Sequence, residues 1–80
     1  MRWFIKKEFE DEKSIVIAYS FEESADCDGK IEYIKKTEQL NIKNLSKSAN
    51  DFNTKRLFPH IYRLIEEGSL SHEMRVITIG

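Results

Sequence analysis

The chain has 80 residues, of which 40% are apolar and 34% are charged, and its net charge is −1. A chain of this length forms one domain at most, with a small core and little margin of stability. Because acidic and basic residues nearly balance, the composition does not indicate a globally basic nucleic-acid binder.

The sequence also bears on where the protein works. The single cysteine, Cys27, has no partner for an intrachain disulfide, and a reducing compartment is the usual setting for such a chain. Residues 1–10 lack the uninterrupted apolar region of a signal peptide, and no stretch approaches the roughly 20 apolar residues of a membrane span. We therefore expect a soluble, cytoplasmic protein.

Two strands are predicted in the first quarter of the chain. Residues 2–9 and 15–21 both alternate apolar and polar side chains, which is typical of half-buried strands. The charged connector 10–13 is short, so the two strands most simply form an antiparallel hairpin. The side chains expected to face the core are Trp3, Ile5, Phe9, Ile15, Ile17, Tyr19 and Phe21.

A second hairpin is predicted after the polar stretch 22–29. Asp28-Gly29 is a strong turn signal, with positive φ angles expected there. The alternation then predicts strands over about 30–36 and 39–45, with Tyr33 on the core phase of the first. The connection between them lacks glycine, proline and asparagine, so one long bent strand remains an alternative.

The segment 54–68 is the clearest amphipathic helix of the sequence. Asn53 or Thr54 is the expected N-cap, and Gly68 is placed to end the helix with a positive φ. Pro59 lacks an amide proton and disfavours helical backbone at the preceding residue, which predicts a short first turn and a main helix over about 58–67. The expected apolar stripe consists of Leu57, Phe58, Ile61, Tyr62, Leu64 and Ile65.

A final strand is predicted over residues 73–79, which are rich in β-branched side chains. The element order is therefore β-β-β-β-α-β, and residues 1–80 are expected to form a single α+β domain. Its antiparallel sheet should have four or five strands, with one helix packed on one face. We place the last strand beside the first.

The motifs for metal binding or catalysis are weak. Aligning Gly29 with the glycine of a calcium-binding loop puts Lys35 where a bidentate glutamate is required. Cys27, His60 and His72 lack the close spacing of zinc ligands, and no phosphate-binding loop or nucleophile motif occurs. We therefore predict no enzyme activity, no cofactor and no metal.

Charge is more informative by region. Residues 30–63 contain 8 Lys or Arg against 3 Asp or Glu, a net charge of +5 that the total conceals. Arginine is well suited to such a surface because its guanidinium binds carboxylate or phosphate through two hydrogen bonds. An ordinary solvated surface, in which Arg63 pairs with Glu67, is the alternative. The predicted partner-binding residues are Arg56, His60, Arg63, Lys35, Lys36 and Lys43.

Together these features favour a small non-enzymatic protein-binding module, an adaptor or inhibitor of the kind that phages and mobile elements encode. The first alternative is nucleic-acid binding through the same basic face, with strong salt dependence. The second is a structural homodimer joined through the sheet face opposite the helix, where Phe4, Val16, Ala18 and Ile34 are expected. The last strand is a further candidate, as an edge for strand addition.

Overall fold

A computed structural model describes residues 1–79 of the protein. It contains one helix and five strands in the predicted β-β-β-β-α-β order. The elements are β1 (Arg2–Glu10), β2 (Ser14–Phe21), β3 (Gly29–Ile34), β4 (Gln39–Asn44), α1 (Asp51–Glu67) and β5 (Arg75–Thr78).

The five strands form one antiparallel sheet in the order β4-β3-β2-β1-β5. The two hairpins place β1 to β4 side by side, because short connections leave consecutive strands adjacent. After the helix, the chain returns to the edge of the sheet opposite β4. There β5 pairs with β1, and Trp3 lies opposite Ile77. The predicted α+β fold and the predicted place of the last strand are both confirmed.

Helix α1 packs on one face of this sheet and closes a single core. Fully buried side chains from three strands meet two from the helix: Trp3, Ile5, Ile17, Tyr19, Ile31, Leu57 and Ile61. Burying one such aliphatic side chain contributes roughly 1.5–3 kcal/mol to folding. The sheet face away from the helix is called the open face below.

Phe9 does not belong to this core, which corrects the sequence prediction. A β-bulge between Lys7 and Phe9 shifts the pairing, so that Phe9 lies opposite Val16 on the open face. The extra residue of a bulge reverses the alternation of side chains beyond it. Phe9 is consequently 52% exposed.

Asp28-Gly29 is not the tight turn that the sequence predicted. Gly29 begins β3 opposite Tyr19, and the positive φ values of this loop occur at Glu22 and Cys27. A Cβ atom on Gly29 would clash with the buried ring of Tyr19, so close packing against the ring favours glycine here. The turn prediction failed because a glycine can be needed either for a turn with positive φ or for close packing, and the sequence alone does not distinguish the two.

The second hairpin is confirmed, and the alternative of one bent strand is not observed. The turn closes with the amide of Glu38 donating to the carbonyl of Ile34 at 2.8 Å. Glu38 itself adopts φ 57°, a left-handed conformation at a position without glycine. Because a glutamate occupies the left-handed position, the connection lacks the glycine or asparagine that would have predicted a turn.

Helix α1 begins earlier than predicted. The N-cap is Asn50, whose side-chain oxygen accepts the amide of Asn53 at 2.8 Å, so neither Asn53 nor Thr54 is the cap. The helix continues through Pro59, which is exposed. The carbonyl left unpaired by a proline on the outer side of a helix can bind water, so the helix does not have to end there.

The C-terminal end of the helix agrees with the prediction. Gly68 has φ 67°, and Ser69 donates its amide to the carbonyl of Leu64 at 2.9 Å. Leu70 is buried against the core after this turn. This is the arrangement of a glycine-terminated helix with an apolar contact just beyond it.

Candidate partner-binding surface on the outer face of the helix

The packing of α1 determines which side chains point away from the protein. Its buried residues are Thr54, Leu57, Ile61 and Leu64. With about 100° between successive residues, the opposite side of the helix is centred on five residues within about 80° of one another. These residues, which we call the outer helix face, are Phe52, Arg56, Pro59, Arg63 and Glu66, and all five are exposed.

Phe52 is the most unusual member of the outer helix face. Its side chain is 71% exposed at the start of the helix. Tyr62, at the edge of the same face, is 37% exposed and packs edge-on against Tyr33 with ring centroids 6.2 Å apart. Exposed aromatic side chains beside arginines are the composition that protein interfaces favour over the rest of a surface.

The arginines of the outer helix face form no ion pair within the part of the chain that the structure describes. On the same helix, Lys55 lies 3.1 Å from Asp51 and forms an ion pair one turn apart. Within residues 1–79, neither Arg56 nor Arg63 has a carboxylate oxygen within 4.0 Å, so the Arg63–Glu67 pair considered from the sequence does not form. The guanidinium groups of both residues are available for bidentate binding of a carboxylate.

His60 lies on the side of the helix nearest β5. It is half-buried, and with Arg63 and Glu67 it lines a recess of about 400 Å³ beside Ile77 and Thr78. We call His60, Arg63 and Glu67 the β5 flank of the helix. The outer helix face therefore continues on this side to the edge of the sheet.

The three predicted lysines are not gathered into one cluster with the arginines. Lys35 is held by Glu10, with 2.9 Å between Nζ and the carboxylate. Lys36 is exposed in the turn between β3 and β4, near Glu38, which lines a recess together with Arg63. Lys43 lies four residues along β4 from Gln39, about 13 Å from that turn.

The three possible metal ligands considered from the sequence lie in different parts of the structure. Cys27 is buried, and burial raises the pKa of its thiol. His60 is on the helix, while His72 donates Nδ1–H to the carbonyl of Lys7 at 2.9 Å. No cluster of three or more His, Cys, Asp or Glu side chains within residues 1–79 is arranged to hold a metal ion.

The open face of the sheet is a second exposed surface. The strand register places Phe4, Val16, Ala18 and Ile34 on it, as the sequence suggested. Charged side chains interrupt the apolar ones: Lys30 pairs with Glu8 across this face, and the Arg2 guanidinium lies 5.9 Å from the centre of the Phe4 ring. Ala18 is fully buried. Exposed Phe9 lies opposite Val16 and exposed Val76 opposite Phe4 on the same face, with Lys6 between the two pairs along β1.

Sequence reasoning missed Phe52 as part of this surface. The predicted helix began at residue 54, so Phe52 fell in the preceding loop. The usable signal was Asn50 followed by Asp51, an N-cap and an acidic first-turn residue.

Comparisons with known proteins give no further information on the site. Models of protein families, curated proteins and solved structures were all compared with the chain, and none matched. Among residues 1–79, no helix has both the length and the apolar character that crossing a membrane requires.

Proposed function

We propose that this protein is a small non-enzymatic binding module that acts by occupying another protein through the outer helix face. One observation carries the proposal: exposed Phe52 and Tyr62 flank two arginines that have no carboxylate partner within the described residues. Such a surface is suited to a partner with an acidic patch beside an apolar pocket. Arg56 and Arg63 supply the polar contacts, and half-buried His60 lies next to Arg63 on the β5 flank.

The energetic argument rests on how interfaces distribute binding energy. A few aromatic and arginine side chains usually account for most of it, and removing one costs about 2 kcal/mol or more. Phe52 provides the apolar anchor, since its ring contributes little to the core of the free protein. Arg56 and Arg63 are two turns apart and provide orientation, because each can hold a carboxylate through two parallel hydrogen bonds.

The test is affinity purification from the native host, with mass spectrometry and with nuclease-treated and untreated lysates in parallel. The double variant Arg56→Glu/Arg63→Glu should lose the captured protein, and Phe52→Ala should weaken its binding about thirtyfold or more. Neither variant should lower the melting temperature appreciably, because all three side chains are exposed.

Lys13→Glu/Lys47→Glu is the matched control. It changes the net charge by the same amount, at two exposed lysines outside the helix. Equal capture by Arg56→Glu/Arg63→Glu and by this control would refute the proposed surface. If capture disappears after nuclease treatment, the partner is a nucleic acid, and a steep loss of binding with added salt should accompany it.

A further inference from the structure

The free edge of β5 has unpaired backbone groups. The amide of Ile79 donates to the carbonyl of Met1 at 2.7 Å, and the Met1 amino group donates to the carbonyl of Ile79 at 2.8 Å. Hydrogen-bonded and non-hydrogen-bonded pairs alternate along antiparallel strands, so Trp3–Ile77 is bonded while Phe4–Val76 is not. The N–H and C=O groups of Val76 and Thr78 therefore point away from the sheet.

The orientation of the Arg2 backbone groups in β1 supports the outward orientation of the Val76 and Thr78 groups independently. The carbonyl of Arg2, which lies opposite Thr78, accepts the amide of Glu22 at 2.7 Å on the other side of the strand. The backbone of Arg2 thus faces away from β5. Within the described chain, β5 ends the sheet, and the four backbone groups of Val76 and Thr78 face solvent.

The two edges of the sheet differ in how well they resist pairing with another strand. Edge strands are usually protected by lysines, polar side chains, prolines or bulges. Edge strand β4 has exposed Asn41, Lys43 and Asn44, and its pairing with β3 is irregular near Ile31. By contrast, β5 has one charged residue, the exposed Arg75 at its start, and then carries β-branched Val76, Ile77 and Thr78 in sequence, with Val76 54% exposed.

We propose that two copies of this chain pair through their β5 edges and form one continuous ten-stranded sheet. A two-fold axis through Ile77 places Val76 of each copy opposite Thr78 of the other. Both of these pairs have outward-facing backbone groups, so they form four hydrogen bonds between the copies. Ile77 of one copy then lies opposite Ile77 of the other, a close β-branched pair that stabilises antiparallel strands.

The side of the helix that shares a recess with β5 is compatible in charge with a second copy. A two-fold axis brings like surfaces together, so each surface must complement itself. The β5 flank carries Arg63 and Glu67, which have opposite charges one turn apart. The facing flanks of two copies are thus balanced in charge, and the net charge of −1 per chain adds little repulsion.

Analytical ultracentrifugation across a broad concentration series tests the pairing. The native chain should form dimers, and Thr78→Pro should raise the dissociation constant at least about thirtyfold, since each dimer loses two N–H donors and gains two obstructing rings. Proline is tolerated at an edge where the amide faces solvent, so the variant should remain folded. Thr78→Val, which keeps the amide, is the matched control and should dimerise like the native chain.

Amide hydrogen exchange of the native chain provides a second measurement that needs no variant. Exchange at Val76 and Thr78 should slow as concentration rises, while exchange in β4 should stay constant. A native chain that is monomeric throughout the series would overturn the proposal, as would a dimer that Thr78→Pro leaves unchanged. Neither result bears on the binding proposed for the outer helix face. The single variant Arg56→Glu tests that binding without altering β5 or the β5 flank.

Discussion

At the scale of single residues, Glu10 is the most strongly perturbed charged group on a strand. It accepts hydrogen bonds from Lys7 at 2.7 Å and from Lys35 at 2.9 Å, and so links β1 to the end of β3. The bond from Lys7, followed by that from Lys35, lowers the pKa of the Glu10 carboxyl from 4.5 to about 2. The carboxylate therefore stays charged in the folded protein under conditions that protonate it in the unfolded chain.

This lowered pKa predicts the sign of a pH effect. The Glu10 carboxyl binds a proton less readily in the folded state than in the unfolded chain. The stabilisation of the folded state by the Glu10 carboxylate is therefore complete above the unfolded pKa of 4.5 and is lost as pH falls towards about 2. The side chain is 37% exposed, and solvent screening limits the contribution to less than about 1 kcal/mol. Glu10→Gln should lower the free energy of unfolding by that amount at neutral pH and flatten its decline in acid.

Urea denaturation of both proteins between neutral pH and about pH 2 measures this difference. High salt should reduce the difference, because the lysine partners are also partly exposed. Glu12→Gln is the control, since Glu12 is an exposed neighbour that makes no ion pair within the described residues. A constant difference between the Glu10→Gln and native proteins at every pH would contradict the assignment.

At the scale of elements, the start of α1 joins three parts of the fold. The Thr54 hydroxyl donates to the carbonyl of Asn50 at 2.7 Å and lies 3.2 Å from the hydroxyl of Tyr19. The Tyr19 hydroxyl also accepts the amide of Ser46 at 3.1 Å. The first helical turn is therefore fixed against β2 and the preceding loop, which positions Phe52 on the outside.

The position of the N-cap can be tested by a pair of matched substitutions. Asn50→Ala removes the oxygen that accepts the Asn53 amide and should cost about 1 kcal/mol. For a domain of this size, that corresponds to a fall of roughly 4–8 °C in melting temperature. Asn53→Ala retains its own amide and introduces a better helix former, so it should be neutral or slightly stabilising.

Thermal unfolding monitored by circular dichroism compares the two variants directly. If Asn53→Ala were the more destabilising change, the helix would begin where the sequence alone placed it. The same comparison tests whether Phe52 lies within the first turn and thus on the outer helix face.

The elements also show what the sequence reveals and what it does not. Period-two alternation was enough to identify the first four strands, because each has side chains buried beneath the helix, whereas the last strand was predicted from its β-branched residues. Alternation failed at Phe9, where a bulge shifts the register. The turn prediction failed at Gly29, where the ring of Tyr19 leaves no room for a side chain. For the site, arginines on the outer side of α1 were predictable from helical spacing, whereas their lack of ion pairs depends on side-chain geometry.

At the scale of the whole molecule, one helix covers one face of the sheet, and this constrains how two copies are arranged. A two-fold axis that joins antiparallel edge strands is perpendicular to the sheet, so both helices lie on the same side. Pairing through β5 leaves Phe52 and Arg56 uncovered in both copies. The proposed dimer would therefore present this part of the outer helix face twice in one direction, as a bivalent binder, while Arg63 of each copy lies beside the dimer contact.

Bivalency predicts a difference that depends on the density of the partner. On a surface densely coated with the partner, the native protein should dissociate at least about tenfold more slowly than Thr78→Pro, because the second contact is intramolecular. On a sparse surface the two rates should converge, because each outer helix face then binds alone. Surface plasmon resonance at both densities, with Thr78→Val as the control, measures the effect. Equal rates on the dense surface, with dimerisation established separately, would mean that the two faces do not bind simultaneously, and the perpendicular two-fold arrangement would then be wrong.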